Sequence, residues 1–146
     1  MSTTQAPSGA AVRKLVIDDH DALRPMLDEV ERLADLFEQG DESVGRSLRQ
    51  TGFDFYKRFS GHLELEEQHL ATRLRKLGEQ GERLANRLEH EHREQRELLS
   101  YLLGRLGDST TPTLLVAREL RNFVAYVRLD MQHEEQDLLT EAVLRD

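Results

Sequence analysis

The sequence carries six histidines and no cysteine, so a metal site in this protein must use nitrogen and oxygen ligands. His62 stands four residues before Glu66, and His133 stands four residues before Asp137. On a helix, side chains with this spacing lie one turn apart on the same face, with about 5–6 Å between their Cβ atoms. Each pair can therefore bind one metal ion, although an exposed pair of this kind also forms an ordinary ion pair.

The residues around these pairs are typical of helices. From Val12 onward the chain is rich in Leu, Arg, Glu, Gln and Ala, and β-branched residues show no alternating pattern. Gly, Asp, Ser and Thr cluster at three breaks, residues 40–43, 78–81 and 104–112. Four helices joined by short linkers predict an all-α fold, an antiparallel up-down-up-down four-helix bundle.

Turn residues predict the ends of the helices. Residues 1–11 are small and polar, and we expect a disordered N-terminal tail followed by a single domain over residues 12–146. Pro112 suits the first position of the last helix, which we expect to reach Leu144. Pro25 removes one backbone donor, so it predicts either a kink in helix 1 or a helix that begins there.

The apolar stripe of each helix indicates which histidines face the bundle interior, because each residue advances about 100° around the helix axis. Three histidines fall within the stripes of helices 1 to 3: His20, His62 and His92. Glu66 also lies within the stripe of helix 2. In helix 4 the stripe leaves His133 and Asp137 to one side, so they point inward only if that helix buries a wide face. We expect His69 and His90 at the surface.

A carboxylate on an apolar stripe would cost several kcal/mol if it were buried without a partner. A bound cation would neutralise it. The side chains that could converge on such a cation are His20, His62, Glu66, His92, His133 and Asp137. Mixed imidazole and carboxylate ligands suit iron or manganese better than calcium or magnesium. Two carboxylates can also bridge two ions about 3.5–4 Å apart.

This pattern resembles the hemerythrin family, in particular the bacterial hemerythrin-like cation-binding domains. The resemblance covers the chain from about Leu15 to Leu144. Its motifs are Val16-Ile17-Asp18-Asp19-His20 followed by Leu23, His62-x-x-x-Glu66-Glu67 followed by Leu70, Glu91-His92, and His133-x-x-x-Asp137 followed by Leu138-Leu139. The resemblance implies a non-haem centre of two iron ions, oxo- or hydroxo-bridged, with the six residues above as ligands and the two carboxylates as bridges. Manganese is the alternative metal.

One position departs from the family pattern. Hemerythrins carry a fifth histidine on the third helix, but the residues four positions either side of His92 are Leu88 and Arg96. Water or an acid such as Glu134 or Glu67 would take that place. The resemblance then implies a protein that binds or reacts with dioxygen, peroxide or nitric oxide, as a sensor, in stress protection or in iron handling. Whether it turns over a substrate stays open.

Two other functions fit parts of the sequence. A ferritin-like di-iron oxidase uses Glu-x-x-His on two helices, and Glu66-x-x-His69 and Glu89-x-x-His92 have that spacing, although on sequential helices. A metal-free helical interaction module would instead keep the histidines as structural residues.

Charge and hydropathy exclude other classes of protein. The chain has 28 acidic and 20 basic side chains, a net charge of −8, which argues against nucleic acid or an anionic membrane as partner. The expected partner is a small diatomic ligand or peroxide. The longest apolar run, residues 123–127, is far shorter than the roughly 20 residues of a membrane-spanning helix. We expect a cytoplasmic protein.

Overall fold

The computed structural model describes residues 7–146. Its four long helices are α1 (Gly9–Glu38), α2 (Gly45–Leu65), α3 (Gly78–Gly107) and α4 (Thr113–Asp137). A 3₁₀ turn, Glu42–Val44, precedes α2, which continues through a π-helical segment, Glu66–Ala71, into a short helical turn, Thr72–Arg75. Residues 7–146 contain no strand, and none of their helices is both long and apolar enough to cross a membrane.

Two apolar clusters fill the interior of the bundle. Along α1 the smaller cluster comes first, with Val12 and Val16, and the larger one follows, with Leu23 and Leu27. This order is reversed along α2 and the helical segments that continue it, repeated along α3, and reversed again along α4 and the residues that follow it. Successive helices therefore run in opposite directions, and the predicted up-down-up-down four-helix bundle is confirmed.

A layer of buried polar side chains separates the two apolar clusters. Its members are His20 of α1, His62 of α2, Glu66 of the π-helical segment, His92 and Gln95 of α3, and Glu134 of α4. None of them is more than 3% exposed. Every helix thus interrupts its apolar stripe at the same level of the bundle, which is the pattern of a binding site rather than of a core filled for stability alone.

The π-helical segment lies in this polar layer. A π-helical turn contains more residues than an α-helical turn, so it changes which side chains face inward, and such turns occur often at functional sites. Here Glu66 is buried inside the bundle, while the next residue, Glu67, approaches His92 from the outside at 3.5 Å. Nothing in the residue pattern indicates this segment.

The first helix differs from the sequence prediction in two respects. It begins at Gly9, earlier than predicted, because the Ser8 hydroxyl caps it by accepting a hydrogen bond from the Ala11 N–H at 3.1 Å. Residues 1–6 of the predicted tail lie outside the described residues. The helix also runs through Pro25 without a break, so a helix that begins at that proline is wrong.

The last two helices also differ at their ends. α3 begins at Gly78, so the predicted break at 78–81 lies within its first turn. α4 ends at Asp137 rather than near Leu144. The chain beyond it turns back because Leu139 and Leu144 are buried in the smaller apolar cluster, which a continued straight helix would not allow.

Gly81 packs against the end of the preceding helical turn. A Cβ atom added there would lie 2.0 Å from the backbone oxygen of Leu74, whereas one added at Gly104, in the same helix, would meet open space. We expect Gly81→Ala to lower the free energy of unfolding by about 1–3 kcal/mol. Gly104→Ala should raise it by about 1 kcal/mol through helix propensity. Urea unfolding followed by circular dichroism measures both, and shifts of the same sign would contradict the packing at Gly81.

Candidate metal centre

Five buried side chains from all four helical regions converge in the polar layer, and we call them the inner cluster: His20, His62, Glu66, His92 and Glu134. In the set of His20, His62, Glu66 and Glu134, one ligand-type atom of each side chain lies within 4.8 Å of all the others. His92 joins them through Nε2, which is 3.1 Å from Oε1 of Glu66. The bundle therefore brings three imidazoles and two carboxylates to one point.

Glu66 is the member that the others share. Its Oε1 is 3.3 Å from Nε2 of His62 and 3.1 Å from Nε2 of His92, and its Oε2 is 3.9 Å from Nε2 of His20. Glu134 places Oε1 at 3.0 Å from the same Nε2 of His20. All three imidazoles therefore present Nε2, and not Nδ1, to the two inner carboxylates.

Each imidazole is also contacted from outside by a carboxylate that is itself paired with an arginine. These triads are His62–Asp19–Arg58, His20–Glu135–Arg24 and His92–Glu67–Arg96. The distances from Nδ1 to the outer carboxylate are 2.7, 3.2 and 3.5 Å in that order. In the first two, Nδ1 lies within hydrogen-bonding distance of the carboxylate, which orients the ring so that Nε2 points inward, as in metal-binding histidines.

The two inner carboxylates have opposite pKa shifts. Burial alone would raise the pKa of Glu66, but hydrogen bonds from His62 and His92 outweigh it and hold that pKa below its usual range. Burial, together with the negative charge of Glu66, raises the pKa of Glu134 well above its usual value. The pair therefore favours one shared positive charge, which a proton or a metal cation can supply.

The imidazoles differ in how readily they take up a proton. Burial lowers the pKa of His20. Burial also opposes protonation of His62, but Asp19 and Glu66 outweigh it and raise the pKa of His62 to about 9. In turn, the hydrogen bond from His62 lowers the pKa of Asp19. Positive charge is thus stabilised between His62 and Glu66.

Two carboxylate oxygens of the inner cluster have no hydrogen-bond partner among the described residues. They are Oε2 of Glu66 and Oε2 of Glu134. Leaving a buried acceptor unpaired costs about 1–3 kcal/mol, and more for a charged group. A cation held between the two carboxylates and the imidazole nitrogens would satisfy both oxygens. This donor set of three imidazoles and two carboxylates suits iron or manganese, so the residues fit a metal site.

The structure does not bring His133 and Asp137 into the inner cluster, and both side chains are exposed. Glu134 of the same helix is buried instead. It follows Val127 and Met131 on the inward face of α4, since three residues after Met131 the helix has nearly completed a turn. The sequence contained this signal, but it suggested Glu134 only as a substitute for the missing histidine.

Other candidate residues from the sequence lie outside the inner cluster. His69 is half-buried, and His90 is exposed and pairs with Glu94 at 3.2 Å. Glu89 forms a 2.8 Å ion pair with Arg75. The two Glu-x-x-His motifs of a ferritin-like site are therefore not assembled, because only one residue of each reaches the polar layer.

Removal of the Asp19 carboxylate should weaken proton binding by His62 in the metal-free protein. Because the pKa of His62 is raised, its proton stabilises the folded state fully below the unfolded pKa, and this contribution is lost as pH rises through about 9. In Asp19→Asn we expect the His62 titration, followed by NMR of the imidazole protons, to move down by about one pH unit or more. Asp18→Asn, which removes a neighbouring carboxylate that pairs with Lys14, is the control. An unchanged midpoint in Asp19→Asn would contradict this role of Asp19.

Comparison with known proteins agrees with the geometry of the centre. The family model of the hemerythrin HHE cation-binding domain matches residues 12–142, which include every member of the inner cluster. Neither the curated proteins nor the solved structures gave a match. The expected resemblance is confirmed: the chain belongs to the hemerythrin HHE cation-binding domain family.

Proposed function

We propose that the inner cluster binds two iron ions, with Glu66 and Glu134 as the shared carboxylates. The nitrogen ligands in this proposal are His20, His62 and His92. One observation carries it: two buried carboxylates, each with an unpartnered oxygen, lie among three Nε2 atoms. Membership of a cation-binding family supports the presence of a metal, and the mixed nitrogen and oxygen donors favour iron, with manganese as the alternative.

The contacts of Glu66 support two ions rather than one. The rings of His20 and His62 lie together, with centroids 5.0 Å apart, and can serve one ion. His92 comes from α3 and faces Oε1 of Glu66, whereas His20 of α1 faces Oε2 of the same carboxylate. A carboxylate placed between histidines of different helices is in the position of a bridging ligand.

We further propose that the loaded centre binds or reacts with dioxygen, peroxide or nitric oxide. Bound iron would supply redox chemistry and coordination positions for a small ligand. The chain itself supplies a buried site, because apolar clusters lie on both sides of the polar layer and its members are at most 3% exposed. Large substrates are excluded by this burial, whereas a diatomic molecule or peroxide is small enough to enter.

Ferrous iron added anaerobically to the metal-free chain should bind at about two ions per chain, as expected for carboxylates shared by a pair of ions. Free iron at about 100 times its Kd would stabilise the fold by about 2.7 kcal/mol for each ion bound. Each ion would therefore raise Tm by about 5–10 °C for a chain of this size. Iron analysis and calorimetry with and without a chelator measure both effects. A metal-free interaction module would show neither, and visible absorption after exposure to air reports whether the bound iron is redox-active.

Two adjacent substitutions test which residue of α4 holds the metal. Glu134→Gln should reduce bound iron to about one ion per chain or less, because a bridging carboxylate is lost. His133→Gln should leave the amount of bound iron at equilibrium unchanged, because the His133 side chain is exposed. Equilibrium dialysis against ferrous iron gives both values. If iron binding were lost only in His133→Gln, His133 would be the metal ligand of α4, and the ligand role proposed for Glu134 would be refuted.

A further inference from the structure

A pocket of about 120 Å³ opens between α3 and α4 beside the inner cluster, and we call it the α3/α4 pocket. Its polar lining consists of Arg87, Glu91, Asp130, His133, Glu134 and Asp137. Leucine side chains form the rest of the wall. With about 30 Å³ per water molecule in the liquid, this volume admits a cation with part of its hydration shell.

The polar residues of the pocket form a path from the surface to the inner cluster. His133 and Asp137 are exposed, Glu91 and Asp130 are half-buried, and Glu134 at the inner end is 3% exposed. Glu134 faces His20 with Oε1, while its Oε2 has no hydrogen-bond partner among the described residues. An unpaired buried carboxylate oxygen therefore stands where the pocket meets the inner cluster.

The charge of this pocket differs from that of the other sides of the inner cluster. Four carboxylates and one guanidinium group line the pocket. The guanidinium belongs to Arg87, which is exposed and lies 3.8 Å from Glu91. Elsewhere the outer carboxylates that contact the imidazoles are each paired with an arginine, Arg24, Arg58 or Arg96, so those sides carry no excess negative charge. A cation is thus attracted to the centre more strongly from the α3/α4 side than from the sides of the triads.

The mouth of the pocket is suited to capture a cation for a short time. His133 and Asp137 stand one turn apart in the last turn of α4, which ends at Asp137. Carbonyl groups at a helix C-terminus carry partial negative charge and favour cations. Two exposed ligands hold an ion weakly, so they can release it to deeper carboxylates.

We propose that the α3/α4 pocket is the access route for the metal cation. His133 and Asp137 capture the hydrated divalent ion at the mouth, and Asp130 and Glu134 pass it to the inner cluster. This inference rests on the proposed metal function, and it gives the His133/Asp137 pair a role in loading rather than in permanent coordination.

The test is the rate at which the metal-free full chain takes up Co²⁺, a spectroscopic substitute for ferrous iron, in a stopped-flow spectrometer. The double variant His133→Gln/Asp137→Asn should load about tenfold more slowly at low salt, since steering by local charge changes association rates by factors of 10 or more. The amount of metal bound at equilibrium should not change. The wild-type rate should also fall more steeply with ionic strength than the rate of the variant.

A matched control is available on α3. His90 and Glu94 form an exposed pair with the same spacing outside the pocket, so His90→Gln/Glu94→Gln removes equivalent groups and should load at the wild-type rate. Arg87→Gln, which removes the cation from the pocket lining, should load faster than wild type.

Three results would overturn the access route: equal slowing in the control, no slowing in the pocket variant, or loss of equilibrium binding in that variant. Failure of the wild-type chain to bind any metal would instead refute the proposed function, and the access route with it. A chain that binds metal normally but loads independently of the pocket charges would refute the access route alone.

Discussion

Glu66 and Glu134 place two carboxylates within 4.8 Å of each other in a bundle whose neighbouring layers are apolar. Burial and mutual repulsion oppose this arrangement, and the free energy at stake is several kcal/mol. The nearby imidazoles relieve part of it through Nε2 contacts, yet one oxygen of each carboxylate is left without a partner. The contacts around these two carboxylates therefore favour a positive charge between them.

The triads connect this local constraint to the whole fold, because each one joins two parts of the chain. Asp19 of α1 contacts His62 of α2, Glu135 of α4 contacts His20 of α1, and Glu67 of the π-helical segment contacts His92 of α3. Each outer carboxylate is neutralised by its own arginine, so the charge that remains uncompensated belongs to the inner pair. The contacts of the triads therefore do two things: they hold neighbouring helices together and they orient the imidazoles. On the side of the α3/α4 pocket, by contrast, the described polar residues that line the approach to the centre are mainly carboxylates, and none of them belongs to a triad.

Sequence periodicity predicted the bundle, its helix directions and the inward position of His20, His62, Glu66 and His92, because these residues share the phase of long apolar stripes. At the end of α4 the prediction relied on the spacing of His133 and Asp137, whereas in the structure both side chains are exposed and Glu134 is buried. Glu134 lies on the stripe that contains Met131, and phase alone would have selected it. The π-helical segment and the early end of α4 depend on packing between helices, which no local residue pattern encodes. The outer carboxylates were not predictable from sequence position, because Asp19 is adjacent to His20 yet contacts His62, and Glu67 and Glu135 reach their imidazoles only through the packing of the folded bundle.

Anomalous diffraction at the iron absorption edge, from crystals of the iron-loaded chain, tests the central claim most directly. We expect two peaks inside the polar layer, both within bonding distance of the Glu66 and Glu134 carboxylates, with His20 and His62 on one ion and His92 on the other. A peak between His133 and Asp137 with none at Glu134, or no peak inside the bundle, would contradict the account.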